Sequence, residues 1–288
     1  MKGIIVINGY SKTEGIAYQV KRLTEEFVNI GVKIEVRRTN ELLCFIENNC
    51  IVSKLKCDFI VYLDKDIHIA MMLEKLGFRL FNSREAIEIC DDKIKTHIAL
   101  AGYNIPQPKT ISSPLMYNNY EDDFQQKVEE VLSYPMVVKE AHGSLGGQVY
   151  LVKNGSELKS VREKLKLKPH LYQQFIDKSY GKDTRVIVVG GEVVASYNRI
   201  SKGDFRSNLE LGGFGKTATI TSEYVKLCKQ VSSILHLDYC GIDILDNGGL
   251  PVLCEVNSNA FFTGAEKITG VNIAKIYANY IVNKVNQG

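Results

Sequence analysis

Residues 134–152 read Tyr134-Pro135-Met136-Val137-Val138-Lys139-Glu140-Ala141-His142-Gly143-Ser144-Leu145-Gly146-Gly147-Gln148-Val149-Tyr150-Leu151-Val152. Two short apolar runs, 134–139 and 148–152, flank a Gly-rich loop, which predicts an antiparallel hairpin. Glycines let backbone N–H groups approach phosphate oxygens closely, and Ser144 adds a hydroxyl donor. Lys139 places a positive charge where the first strand meets the loop. Read alone, the segment fits a mobile hairpin as well as a phosphate loop, with His142 an exposed loop residue.

Toward the N-terminus the pattern changes. Gly3-Ile4-Ile5-Val6-Ile7-Asn8-Gly9 is an unbroken apolar run ending in a turn, the mark of a buried parallel strand. Ile16, Val20, Leu23, Phe27 and Ile30 follow at three- and four-residue steps, a helix over 13–30 closed by Gly31. Strands at 32–37 and 58–63 and a helix over 67–76 complete an α/β unit with a parallel sheet. That unit ends near residue 90. Residues 91–102 read as a further helix, broken by Asn104-Ile105-Pro106-Gln107-Pro108.

Toward the C-terminus the pattern is antiparallel. Strands at 185–189 and 192–197 turn at Gly190-Gly191. Strands at 239–245 and 251–256 flank Asp246-Asn247-Gly248-Gly249, and residues 223–236 and 271–285 read as helices. An antiparallel part after an α/β part predicts more than one domain.

The last strand pair carries acids. Glu255 and Asn257 stand two apart and project from one strand face, and Asp243 lies on the neighbouring strand. Two carboxylates and an amide oxygen are hard ligands that suit Mg²⁺. Asp183-Thr184-Arg185, Arg199 and Asp204-Phe205-Arg206-Ser207-Asn208 add guanidinium forks suited to phosphate and carboxylate. A phosphate loop, a metal triad and anion-binding arginines describe a nucleotide-phosphate site with a second anionic substrate.

Other chemistries lack their residues. Gly215-Lys216-Thr217 resembles the end of a P-loop, but Glu210 stands where its first glycine belongs. The first strand-turn-helix has no G-x-G-x-x-G. Seven cysteines contain no C-x-x-C pair, so they read as structural thiols in a reducing cytoplasm. A net charge of +3 with 24% charged residues argues against a nucleic-acid or anionic-membrane partner. The apolar runs are too short for a membrane span or a signal peptide.

Asp92-Lys93, Pro135-Met136-Val137-Val138-Lys139, Gly143-Ser144-Leu145-Gly146-Gly147, Gln173-Gln174-Phe175-Ile176, Gly181-Lys182-Asp183-Thr184-Arg185, Gly203-Asp204-Phe205-Arg206-Ser207-Asn208 and Glu255-Val256-Asn257 occur in this order. The ordered set resembles the ATP-grasp superfamily, and within it the RimK-like carboxylate–amine (α-L-glutamate) ligases. The likeness runs from about residue 85 to the C-terminus. It implies an α/β and α+β architecture: an N-terminal α/β domain over 1–90, a central lid-bearing subdomain over 91–176, and a C-terminal subdomain with the metal site over 177–288.

The resemblance also implies roles. Lys93 and Lys139 contact ATP phosphates, Ser144 belongs to the lid loop, and Gln174-Phe175 line the adenine. Asp183, Arg206, Ser207 and Asn208 lie at the nucleotide. Asp243, Glu255 and Asn257 hold Mg²⁺ or Mn²⁺, two ions in the family. Arg199 and Lys139 stabilise the transferring phosphoryl group. The implied reaction joins a carboxylate to an amine of an amino acid, peptide or protein tail through an acylphosphate, in a cytoplasmic protein that can be a homo-oligomer. A phosphotransferase on the same fold and a non-catalytic ATP-binding protein are the alternatives. Where the family commonly reads Ser-Pro-Gly after the metal asparagine, this chain has Ser258-Asn259-Ala260-Phe261-Phe262-Thr263-Gly264.

Overall fold

The structure is a computed structural model that describes residues 1–117, 123–143 and 146–287. The chain opens with β1 (Lys2–Ile7), α1 (Glu14–Asn29) and β2 (Lys33–Arg38). An outlying ribbon of β3 (Phe45–Glu47) and β4 (Cys50–Val52) precedes β5 (Phe59–Leu63), α2 (Ile67–Lys75) and β6 (Leu80–Phe81). The main strands form a parallel sheet in the order β2-β1-β5-β6. Ile5 and Ile7 pack with Leu23 and Phe27 on one face, while Ile4 and Val6 pack with Ala70 and Leu73 on the other. Burial on both faces is why the run is apolar without alternation.

A helix that was not expected, α3 (Arg84–Asp91), comes first, and the helix expected over 91–102 follows as α4 (Lys93–Leu100), shorter at both ends. The two meet at Asp92, whose backbone is extended. The Asp92 carboxylate accepts from the N–H groups of Ile94 and Lys95, and Ser83 caps α3 in the same way through Ala86. An aspartate that caps a new helix start competes with helix continuation. The cap also fixes Lys93 as the first residue of α4.

There follow β7 (Thr110–Ser112), α5 (Phe124–Val131), β8 (Met136–Glu140), β9 (Val149–Val152), α6 (Gly155–Leu165) and β10 (His170–Gln174). They form an antiparallel sheet in the order β7-β10-β8-β9, and β8–β9 is the expected hairpin. Met136, Val138, Val152 and Tyr172 pack with Val128, Leu158 and Leu165 of α5 and α6. The opposite face, bearing Val137, Lys139 and Gln173, is left to the site.

The last part comprises β11 (Lys182–Val189), β12 (Glu192–Ile200), β13 (Phe214–Thr217), α7 (Ser222–Ile234), β14 (Tyr239–Asp246), β15 (Pro251–Asn257), α8 (Phe262–Thr269) and α9 (Ile273–Asn286). Its antiparallel sheet runs β13-β12-β11-β14-β15. Val186 and Val188 face Leu227, Cys228 and Val231 of α7, a core that also takes in Ala86, Cys90, Leu100 and Ile105. Ile187 and Val189 face the other core, shared with α1, α8 and α9. Arg22 of α1 donates to Glu266 (3.0 Å) and Asn272 (2.9 Å), and the Tyr18 hydroxyl donates to Glu266 (2.8 Å). Gly215-Lys216-Thr217 lies on the edge strand β13. It therefore opens no helix, as a P-loop must.

Candidate functional site

A cleft lies between the open face of the central sheet and the C-terminal sheet. Its walls carry Lys93, Lys139, Lys182, Arg199 and Arg206 against Glu140, Asp183, Asp243 and Glu255. Opposite charges gathered in one concave place are the mark of a site rather than of a solvated surface.

A β-bulge shapes its floor. Asp243 pairs with Glu255, yet Ile244 pairs with Leu253, so Cys254 is an extra residue in β15. On a regular strand Cys254 and Glu255 would face opposite ways; here both line the cleft. Cys254 Sγ lies 3.8 Å from Lys139 Nζ. Cys90, Cys228 and Cys240 are buried, as expected of structural thiols, but Cys254 is half-buried and belongs to the site. Burial pushes its thiol pKa up, so it stays protonated.

Behind the floor runs a buried chain of alternating charge. Arg185 grips Asp243 in a fork, through Nε and through Nη2 at 2.7 Å. Arg199 Nη2 lies 2.8 Å from the same carboxylate, and Arg199 Nε donates to Asp183 at 2.7 Å. The register explains the meeting: Arg185 stands opposite Asp243, and Asp183 opposite Arg199. Burial opposes the charge on Asp243, but Arg185 and Arg199 overcome it and hold the carboxyl below its usual range. Burial likewise opposes charge on Arg199, and Asp243 and Asp183 overcome it.

The two lysines are held individually. Lys139 Nζ donates to Gln173 Oε1 at 2.8 Å, and Gln173 Nε2 donates in turn to His97 Nε2 at 3.0 Å. His97 Nδ1 meets Gln107 Oε1 at 2.5 Å. This sequence of donors requires a neutral imidazole with its proton on Nδ1. Burial agrees, since it lowers the His97 pKa. Lys93 Nζ donates to the Gly143 carbonyl at 2.9 Å and lies 3.4 Å from Glu255.

The profile of the RimK-like ATP-grasp domain matches residues 90–281. The chain belongs to the RimK-like ATP-grasp family. It is 38% identical to human N-acetylaspartylglutamate synthase A over 226 residues, 76% of this chain and 56% of that protein. It is 31% identical to the ribosomal protein bS6–L-glutamate ligase of Shigella boydii, over 91% of this chain and 90% of that one. Among solved structures, the ATP-grasp ligase PsnB complexed with minimal precursor, Mg and ADP superposes with a TM-score of 0.71 at 16% identity, covering 99% and 98% of the two chains. The chain spans little more than half the length of the human relative. The ATP-grasp fold accounts for the two antiparallel sheets that close on one cleft.

Within that fold the residues singled out by sequence largely converge. Lys93, Lys139, Gln174, Phe175, Asp183, Arg199, Arg206, Ser207, Asn208, Asp243 and Glu255 all line the cleft. Phe175 meets Phe205 and Tyr180 edge-on, with centroids 6.4 and 6.2 Å away. Arg206 donates to Asp204 and, at 2.7 Å, to the Gly146 carbonyl, tying the β8–β9 hairpin to the far wall. Ser144 lies outside the described residues. Asn257 is not among the cleft-lining residues. His97 carries no sequence signal of its role, Gln173 stands in the quoted motif without a role, Cys254 reads from sequence as a structural thiol, and Arg185 as a basic anion binder. The bulge has no sequence signal, and His97 and Gln173 gain meaning only when β10 meets α4.

The metal donor set is chemically apt. Gly241 and Asp243 stand opposite Asn257 and Glu255, so Asp243, Glu255 and Asn257 project from one face. Asn257 would meet a cation through Oδ1; its Nδ2, a buried donor without a hydrogen-bond partner, is not a ligand. In this structure both Asp243 oxygens engage guanidiniums, and no cluster of three His, Cys, Asp or Glu poised for a metal occurs among the described residues. Two carboxylates and an amide still fit a hard divalent cation that keeps water and phosphate ligands.

Proposed function

We propose that this chain is an ATP-dependent carboxylate–amine ligase that joins glutamate to an acceptor through an acylphosphate. The convergence of Lys93, Lys139 and Arg199 with the oxygen donors Asp243 and Glu255 in one cleft carries the reading. The names of the human synthase and the Shigella ligase, both glutamate-joining, support the amino acid. Mg²⁺ is the proposed metal, supported by the Mg and ADP of the PsnB complex; Mn²⁺ and a second ion suit the same donors. Seven free cysteines support a reducing, cytoplasmic setting, and no helix among the described residues is long and apolar enough to cross a membrane.

Asp243, Glu255 and Asn257 would hold the metal, which supplies charge neutralisation at the phosphates. Gln173 aims the Lys139 ammonium into the cleft, and Arg199 presents a buried fork whose charge is fixed by Asp183. A carboxylate oxygen attacks the γ-phosphorus and ADP leaves. The amine nitrogen then attacks the acyl carbon, phosphate leaves, and the nitrogen loses a proton. Positioning and fixed charge do most of this work. No protein nucleophile takes part, and the neutral Cys254 thiol does not compete for the phosphoryl group.

Hydroxylamine traps an acylphosphate as a hydroxamate. Wild type with ATP, Mg²⁺ and candidate carboxylates should yield hydroxamate, and Arg199→Lys, which keeps charge but loses the fork, should nearly abolish it. A stable phosphorylated alcohol with no hydroxamate across broad substrate pools would replace the ligase with a kinase. ATP binding without any turnover would leave a binding protein.

A further inference from the structure

A second, open groove runs beside the cleft and touches Val149, Tyr150, Leu151 and Val152 in succession. Successive strand residues face opposite sides, so a groove that meets four in a row meets the strand's edge. That edge is open: β9 ends the central sheet, and no described strand pairs with its outer side. The register says which groups face out. Glu140 N–H donates to the Gln148 carbonyl at 3.1 Å, so Tyr150 and Val152, two and four residues on, also turn their backbone toward β8. Val149 and Leu151 therefore present their N–H and C=O groups to the groove.

The walls describe an occupant. α6 contributes Ser160 and Val161, and Phe205 and Arg206 stand across from them. Lys164, one turn beyond Ser160, does not line the groove itself but holds its ammonium 4.7 Å above the ring of Tyr150, which does, and has no carboxylate within ion-pair distance among the described residues. The groove's own acid, Glu157, is already engaged by the Lys153 N–H at 2.8 Å and by Asn154. Val149, Phe205 and Arg206 line the groove and the cleft alike, so one runs into the other.

We propose that the β9 edge docks an extended, acidic stretch of a polypeptide substrate, which pairs with Val149 and Leu151 as an added strand and enters the cleft. Main-chain pairing would give affinity, and Lys164 the preference for acids. This rests on the ligase reading and names its substrate class.

Fluorescence anisotropy would follow a labelled decapeptide of alternating Thr and Glu on the full chain without ATP. Binding should weaken at least tenfold when alternate peptide nitrogens are methylated, in Lys164→Glu, and in Leu151→Pro, which deletes an outward N–H that β8 does not use. Ser160→Trp fills the groove without touching the strand and should do the same if Leu151→Pro misfolds. Hydroxamate formation from whichever small carboxylate wild type activates should be unchanged in Lys164→Glu and Ser160→Trp. No binding by wild type, equal binding by the variants, or equal binding of a Thr-Lys decapeptide overturns the proposal. Loss of hydroxamate from wild type instead removes the ligase reading, whatever the peptide does.

Discussion

Arg199 Nη2 lies 2.8 Å from Asp243 Oδ2, with both side chains 4% exposed. Asp243 also holds Arg185, so one buried carboxylate keeps two guanidiniums from repelling each other. Removing one partner of a buried ion pair costs about 3–5 kcal/mol, because the remaining charge is stranded. Asp243→Asn should therefore destabilise the fold by about 3 kcal/mol in urea unfolding, in addition to ending turnover. Adding Arg185→Met should recover part of that loss by removing one stranded charge. A double variant no more stable than Asp243→Asn would show that Arg185 does not depend on Asp243.

Glu255 tests the metal site apart from catalysis. It sits opposite Asp243 and 3.4 Å from Lys93, in a half-buried place where its charge is only partly matched. Glu255→Gln should weaken Mn²⁺ binding, read by electron paramagnetic resonance, by more than about tenfold, a loss that removal of an outer partner alone can reach. Unchanged Mn²⁺ affinity would take Glu255 out of the ligand set.

Lys139 is buried, and Gln173 Oε1 is its hydrogen-bond acceptor at 2.8 Å. A charge-assisted bond to phosphate is worth about 1.5–3 kcal/mol. Lys139→Ala should weaken ATP binding in calorimetry by about that amount, roughly ten- to a hundredfold. Gln173→Leu leaves the ammonium in place but without its guide, and should give a smaller loss. Equal ATP affinity in all three proteins would make Lys139 a structural cation.

Much of this site was legible because its signals are local. The unbroken run in β1 and the Gly-rich link of β8 and β9 each follow from short stretches. So does the two-residue step from Glu255 to Asn257. What escaped depends on partners distant in sequence. Apolar positions at Ala86, Cys90 and Leu100 announce burial, but nothing local says that they pack against α7 of the C-terminal part. Period two sends Cys254 away from Glu255, and only pairing with β14 reveals the bulge that turns both into the cleft. Helical periodicity over 91–102 does not distinguish Asp92 from a helix residue, although Asp is a good cap; the extended backbone at Asp92 is what makes Lys93 the start of α4.

His97 links pH to the phosphate site. Its neutral Nε2 accepts from Gln173 Nε2, and the opposite end of that amide accepts from Lys139. Protonation puts an N–H on Nε2 and turns two donors on each other. The amide must then flip, which presents its NH₂ to the Lys139 ammonium and removes that ammonium's acceptor. Burial is the main reason the His97 pKa lies below its usual 6.5, with the Gln107 hydrogen bond opposing and Lys139 and Lys93 reinforcing it; Glu255 opposes. The folded state thus prefers the neutral ring and the unfolded chain binds more protons. Stability from this group is complete above pH 6.5 and is lost as pH falls through the lowered folded value. ATP affinity should fall over the same window. The nucleotide's own phosphate also takes up a proton near pH 6, so wild type must be compared with a protein that differs only at this ring. His97→Gln cannot titrate. The ratio of wild-type to His97→Gln affinity, measured by calorimetry from pH 7.5 to 5, should decline as the medium becomes acidic. A ratio constant across that range would show that His97 protonation does not reach Lys139 through Gln173.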